Sequence, residues 1–150
     1  MLAIVGPGDT DDATVLGAAA EVGRLAVLAG HHIVTGGLGG VMAAAARGAH
    51  EAGGRVVGVL PGADPAAANE WVDEAVATGL GQARNAMVVE LADAVVGVGG
   101  SWGTLSEIAI ARRLGKPVVW LYGWDVSGPA DPVPRASTPE EAMIIAVSGR

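Results

Sequence analysis

Short apolar runs rich in β-branched residues alternate with Ala-rich stretches of helical period along the whole chain. Leu2 to Val5 reads as a buried strand ending at Gly6-Pro7-Gly8, and Asp9, Thr10, Asp11 and Asp12 then offer N-cap side chains to a helix running to about Ala29. Gly30 stops that helix, His31 to Thr35 forms a second strand, and Gly36-Gly37-Leu38-Gly39-Gly40 leads into a helix to about Ala52. Beyond Gly53-Gly54, Arg55 to Leu60 is a third strand closing on Pro61-Gly62. Ala63 to Glu70 reads as a loop, Trp71 to Thr78 as a short strand, and Gly79 to Ala92 as a helix carrying Arg84 and Asn85. Ala94 to Val98 is the next strand, turning through Gly99 to Thr104 into a helix that ends near Gly115. Pro117 to Tyr122 is the last predicted strand. Trp124 to Ser137 reads as a loop leading to a C-terminal helix that opens at Thr138-Pro139-Glu140-Glu141, with Pro at its first position.

Apolar strands separated by helices imply a parallel sheet covered on both faces. The expectation is one α/β domain over residues 1–150, a Rossmann-like three-layer fold with an open, mostly parallel sheet.

Composition narrows the function. The net charge is −7 and eight of the nine basic residues are Arg, with no basic stripe, which argues against binding a nucleic acid polymer. The absence of Cys excludes disulfides, thiolate metal sites and Cys nucleophiles. Three scattered His give no readable metal set. His31 and His32 begin a strand at the end away from the ligand edge, and His50 lies late in a helix. No signal peptide is readable at the N-terminus, and no run approaches the ~18 apolar residues of a membrane span. A cytoplasmic location without membrane partners follows as the expectation.

One pattern occurs twice: a strand, a glycine-rich turn, then a helix. The first turn is Gly36, Gly37, Leu38, Gly39 and Gly40; the second is Gly99, Gly100, Ser101, Trp102, Gly103 and Thr104. In a parallel sheet both lie at the C-terminal edge of the strands, where free N–H groups and helix dipoles favour an anion. A small phosphorylated ligand is therefore the expected partner; the alternative is that the glycines merely permit tight packing. Neither turn is a P-loop or a dinucleotide fingerprint. Thr104-Leu105-Ser106-Glu107 also fits a capping box, which would make Glu107 structural. Arg84, early in its helix, is disfavoured by the dipole unless an anion is near; a surface salt bridge is the other reading. Trp102 suits either stacking on a base or pterin ring or a contact between subunits.

Taken with Arg84-Asn85-Ala86-Met87, Gly58-Val59-Leu60-Pro61-Gly62 and Ala92-Asp93-Ala94, the two turns make the chain resemble the Lonely Guy (LOG) superfamily, long mislabelled as lysine decarboxylases. The resemblance spans about residues 1 to 122 and is closest to the short branch near the molybdenum cofactor carrier proteins. It implies a dimer and a nucleotide or molybdopterin-type ligand, with no cofactor required. In the hydrolase branch it implies release of a base from nucleoside 5′-monophosphates. Thr104 and the turn glycines would then hold phosphate, Glu107 would serve the oxocarbenium-like state, and Arg84 would contact the ligand. Three positions depart from the hydrolase pattern Pro-Gly-Gly-x-Gly-Thr-x-x-Glu and its Arg-Lys pair: Gly99 stands for Pro, Ser101 for Gly and Asn85 for Lys. They favour a binding protein over the hydrolase. A decarboxylase is rejected, since Lys116, the one lysine, begins a strand behind Gly115.

Overall fold

Strands apolar on both sides can be buried only between two helical layers, and the chain meets that requirement. The computed structural model describes residues 1–126 and 131–149. Seven parallel strands run in the order β4-β3-β2-β1-β5-β6-β7. They are β1 (Leu2–Val5), β2 (Ile33–Thr35), β3 (Val56–Leu60), β4 (Glu74–Ala77), β5 (Ala94–Val98), β6 (Val118–Leu121) and β7 (Arg135–Ala136). The helices are α1 (Ala13–Leu28), α2 (Val41–Glu51), α3 (Arg84–Glu90), α4 (Trp102–Arg113) and α5 (Pro139–Ser148). Every residue of β1, β2, β3, β5 and β6 is buried. One core lies between the sheet and α1, α2 and α5; the other lies between the sheet and α3 and α4. None of the described helices is long and apolar enough to cross a membrane.

Three local expectations need correction. The helix predicted from Gly79 begins only at Arg84, preceded by a 3₁₀ turn over Gly81–Ala83. Gly79 and Gly81 have φ of +65° and +59°, which no α-helix accommodates. The strand predicted from Trp71 pairs only from Glu74, because the Asn69 side chain turns the chain by accepting the Trp71 N–H at 3.0 Å. The stretch read as loop, Trp124 to Ser137, contains β7, a two-residue strand on β6; its residues 127–130 lie outside the described residues.

Helix ends follow elementary capping. Asp12 accepts the N–H groups of Thr14 and Val15 at 2.9 and 3.3 Å, closing the N-terminus of α1. At the far end of α3 the Lys116 ammonium donates to the carbonyls of Val89, Glu90 and Ala92 at 2.8, 2.8 and 2.6 Å. These are the orphan carbonyls that a helix C-terminus leaves, and a cation suits them.

The closest helix pair is α1 with α2. A Cβ at Gly48 would collide with the Ala20 backbone across that interface, whereas a Cβ at Gly17 would meet nothing. Helix propensity alone favours Ala at both positions by roughly 1 kcal/mol. The expected outcome is opposite signs: Gly17→Ala raises the urea midpoint, while Gly48→Ala lowers stability by about 1 to 3 kcal/mol. Equal gains for both would show that the two helices are not in backbone contact.

Candidate functional site

From β1 the chain winds outward to β4, then returns to the other side of β1 and winds on through β5 to β7. The turns after β1 and β5 therefore diverge, and a crevice opens at the C-terminal ends of these strands. It widens into a cavity of about 880 Å³, within the usual size for a small-molecule site. The turns after β2 and β5 face this one space: Gly36 and Leu38 line it from one side, and Ser101, Trp102, Gly103 and Thr104 from the other. Arg84, Asn85 and Glu107 line it as well. Gly37, Gly39, Gly40, Gly99 and Gly100 do not; they shape the two turns behind the wall. The Val41 N–H donates to the Pro7 carbonyl at 3.0 Å, tying the β2 turn to the β1 turn.

Gly6, Gly8, Gln82, Ala83 and Ser106 also line the cavity, and none was singled out from sequence. The available signal was Gly6-Pro7-Gly8, a third glycine turn following the strand that proves central. Knowing that β1 lies next to β5 requires the strand order, which the sequence does not state.

The second turn is shaped by its departures. Gly99 has φ of +71°, inaccessible to proline, whose ring fixes φ near −65°. Ser101 is the N-cap of α4, and its Oγ accepts the Thr104 N–H at 3.2 Å and lies 2.9 Å from the Thr104 hydroxyl. This corrects the capping-box reading of Glu107. With Ser101 as N-cap, Thr104 is the third helical residue and Glu107 sits a turn further on, out of reach of the N-cap amide. The first-turn N–H groups of Trp102 and Gly103 have no helical acceptor, nor do those of Met42 and Ala43 in α2, whose N-cap Gly40 has no side chain.

Arg84 is neither at the surface nor in a salt bridge among the described residues. It is 6% exposed, and its Nη1 donates to the carbonyls of Gly36 and Val59, both at 2.6 Å. The negative ends of two peptide dipoles thus answer the misfit of a cation at a helix N-terminus. Gly36 must lack a side chain here, since a Cβ would occupy the guanidinium position. Nε is buried without a partner among the described residues. Burial pulls the Arg84 pKa down, and Glu107 offsets part of this.

Glu107 is 7% exposed, and its carboxyl group makes no hydrogen bond among the described residues. Burial pushes its pKa up to about 8, against the pull of Arg84. At neutral pH it is mostly a neutral acid. Asn85, 6% exposed, donates from Nδ2 to Ser106 Oγ at 3.1 Å, and that hydroxyl donates to the Gly103 carbonyl at 2.7 Å. Trp102 stands at the cavity mouth, 78% exposed. His50 packs on Trp71, with ring centres 5.6 Å apart.

A doubly wound parallel sheet with a cavity at its switch point defines a Rossmann-like α/β domain. The chain belongs to the SLOG cluster4 family, whose sequence profile matches residues 1–148. It is 41% identical to an uncharacterized protein of Archaeoglobus fulgidus over 98% of this chain and 94% of that protein. In structure it is similar to the molybdenum cofactor binding protein of Rippkaea orientalis, with a TM-score of 0.90 and 36% identity over 98% of this chain and 94% of that one. It is also similar to the molybdenum cofactor carrier protein of Chlamydomonas reinhardtii, with a TM-score of 0.86 and 35% identity over 99% and 96% of the two chains.

The raised Glu107 pKa fixes a direction for stability. Between its ordinary value of 4.5 and about 8 the folded protein holds a proton that the unfolded chain releases. Stability therefore falls as pH rises through that window. Relative to wild type, Glu107→Gln is expected to be near-neutral at pH 4 and stabilising by roughly 2 to 5 kcal/mol at pH 9. Urea unfolding across the pH range checks this, and parallel curves for the two proteins would refute it.

Proposed function

We propose that the cavity binds a phosphate-bearing, nucleotide-like small molecule of the molybdopterin type. The observation that carries this reading is the meeting, in one cavity at the switch point, of Arg84 with the N-terminus of α4, where Ser101 takes only the Thr104 N–H. Trp102 and Gly103 bring N–H groups without helical acceptors, and Arg84 brings a charge whose Nη2 makes no hydrogen bond among the described residues. A neutral Glu107 does not repel an anion. The residues suit a ligand with one phosphate end and one flat heterocyclic end, and the similarity to proteins named as a molybdenum cofactor binding protein and a molybdenum cofactor carrier protein supports that class. In this role the ligand is cargo, and the protein's contribution is to hold it and shield it from water.

Hydrolysis of nucleoside monophosphates has less support. A carboxylate that stabilises an oxocarbenium-like centre must be ionised, and burial favours the neutral form of Glu107. Ser101 Oγ occupies the Thr104 N–H that the hydrolase pattern, with glycine there, would leave to phosphate. Incubation with AMP is expected to give no free base.

A bound phosphate further favours the protonated form of Glu107, so ligand and proton are taken up together. Affinity should be greatest below pH 8 and fall above it, by up to about tenfold per pH unit. Calorimetric titration of GMP between pH 6 and 9.5 tests this. Inorganic phosphate should compete, and Glu107→Gln should flatten the profile. Failure of GMP and of molybdenum cofactor released from a molybdoenzyme to bind at pH 7 would overturn the proposal.

A further inference from the structure

Three indoles form a connected column from the core to the cavity mouth. Trp120, on β6, is 1% exposed, and its Nε1 donates to the Gly99 carbonyl at 2.6 Å, fixing the start of the second glycine turn. Trp124 lies against it, with ring centres 6.3 Å apart at 42°. Trp124 also fills the space above Gly100, where any Cβ would run into the indole. Trp102 completes the column, meeting Trp124 edge to face at 4.9 Å and 77°. One edge-to-face neighbour covers at most one side of a ring, so among the described residues at least one face of Trp102 stays open, and the residue is 78% exposed.

An exposed indole backed by a second indole is a platform, and its place limits what can cover it. Trp102 lines the cavity and is the first residue of α4, so its own N–H is one of the free first-turn amides. An anion held there carries its attached group past the same residue's side chain. We infer that Trp102 is the specificity-determining residue for the non-phosphate end of the ligand, stacking on a flat heteroaromatic ring. This rests on the anion-binding reading of the cavity and adds what the cavity selects. Stacking tolerates any flat ring, because every such ring offers a π face, and contributes about 1 to 3 kcal/mol per base.

Ribose 5-phosphate and GMP share the phosphate and the sugar and differ in the ring. Titration of the full chain by calorimetry, with indole fluorescence followed in parallel, is expected to show GMP binding about 5- to 100-fold more tightly than ribose 5-phosphate, with fluorescence quenched by GMP alone. In Trp102→Ala that ratio should shrink to within about twofold while the Kd for ribose 5-phosphate is retained. Trp102→Phe should recover most of the ratio. A ratio unchanged in Trp102→Ala overturns the inference. If that variant instead shifts the oligomeric state in sedimentation with the ratio unchanged, the indole serves a contact between copies and the inference also fails. Binding of guanosine as tightly as GMP would sink the anion reading while leaving the stacking role standing, and binding of neither probe to wild type would sink both.

Discussion

The two hydrogen bonds from Arg84 Nη1 to the carbonyls of Gly36 and Val59 hold the site together. They join the first residue of α3 to the ends of β2 and β3, so one side chain sets the distance between helix and sheet edge where the cavity opens. The guanidinium fits only because Gly36 has no Cβ. Lys116 secures the other end of the same short helix through three carbonyls. A seven-residue helix is too short to be stable by itself; a cation at each end positions it.

The electrostatics follow from that tie. Arg84 is buried and bonded to neutral acceptors, so its charge is not cancelled by a carboxylate in contact. Glu107, buried nearby, is held mostly neutral at pH 7. The site therefore has a positive bias inside a protein of net charge −7. Global charge and local potential point in opposite directions, because the local field comes from a desolvated guanidinium and oriented peptide dipoles.

Much of this was legible in the sequence, for reasons that can be named. The apolar runs at Leu2–Val5, Val56–Leu60, Ala94–Val98 and Val118–Leu121 are strands because their residues are buried on both faces, and periodicity reports burial. The glycine turns stood out because few other residues permit such a backbone. What failed was set by tertiary geometry. The two-residue β7 is too short to carry a pattern. The three-residue spacing from Thr104 to Glu107 imitated a capping box, whereas the true N-cap, Ser101, lies three residues upstream of Thr104. Arg84 stood out as a cation at a helix N-terminus, but its partners among the described residues are neither an anion nor a surface carboxylate: they are the Gly36 and Val59 carbonyls, from positions 48 and 25 residues away. The contribution of Gly6 and Gly8 depended on strand order alone.

The carboxylate of Asp12, seated on the first-turn amides of α1, has a consequence for how charge is distributed among the helix ends. In dinucleotide-binding folds the helix after the first strand receives the pyrophosphate. Here that pole is already neutralised from within, with Asp9 and Asp11 exposed just upstream. An acidic side chain thus already serves that pole, whereas α4, at the cavity, has the uncharged Ser101 as its N-cap.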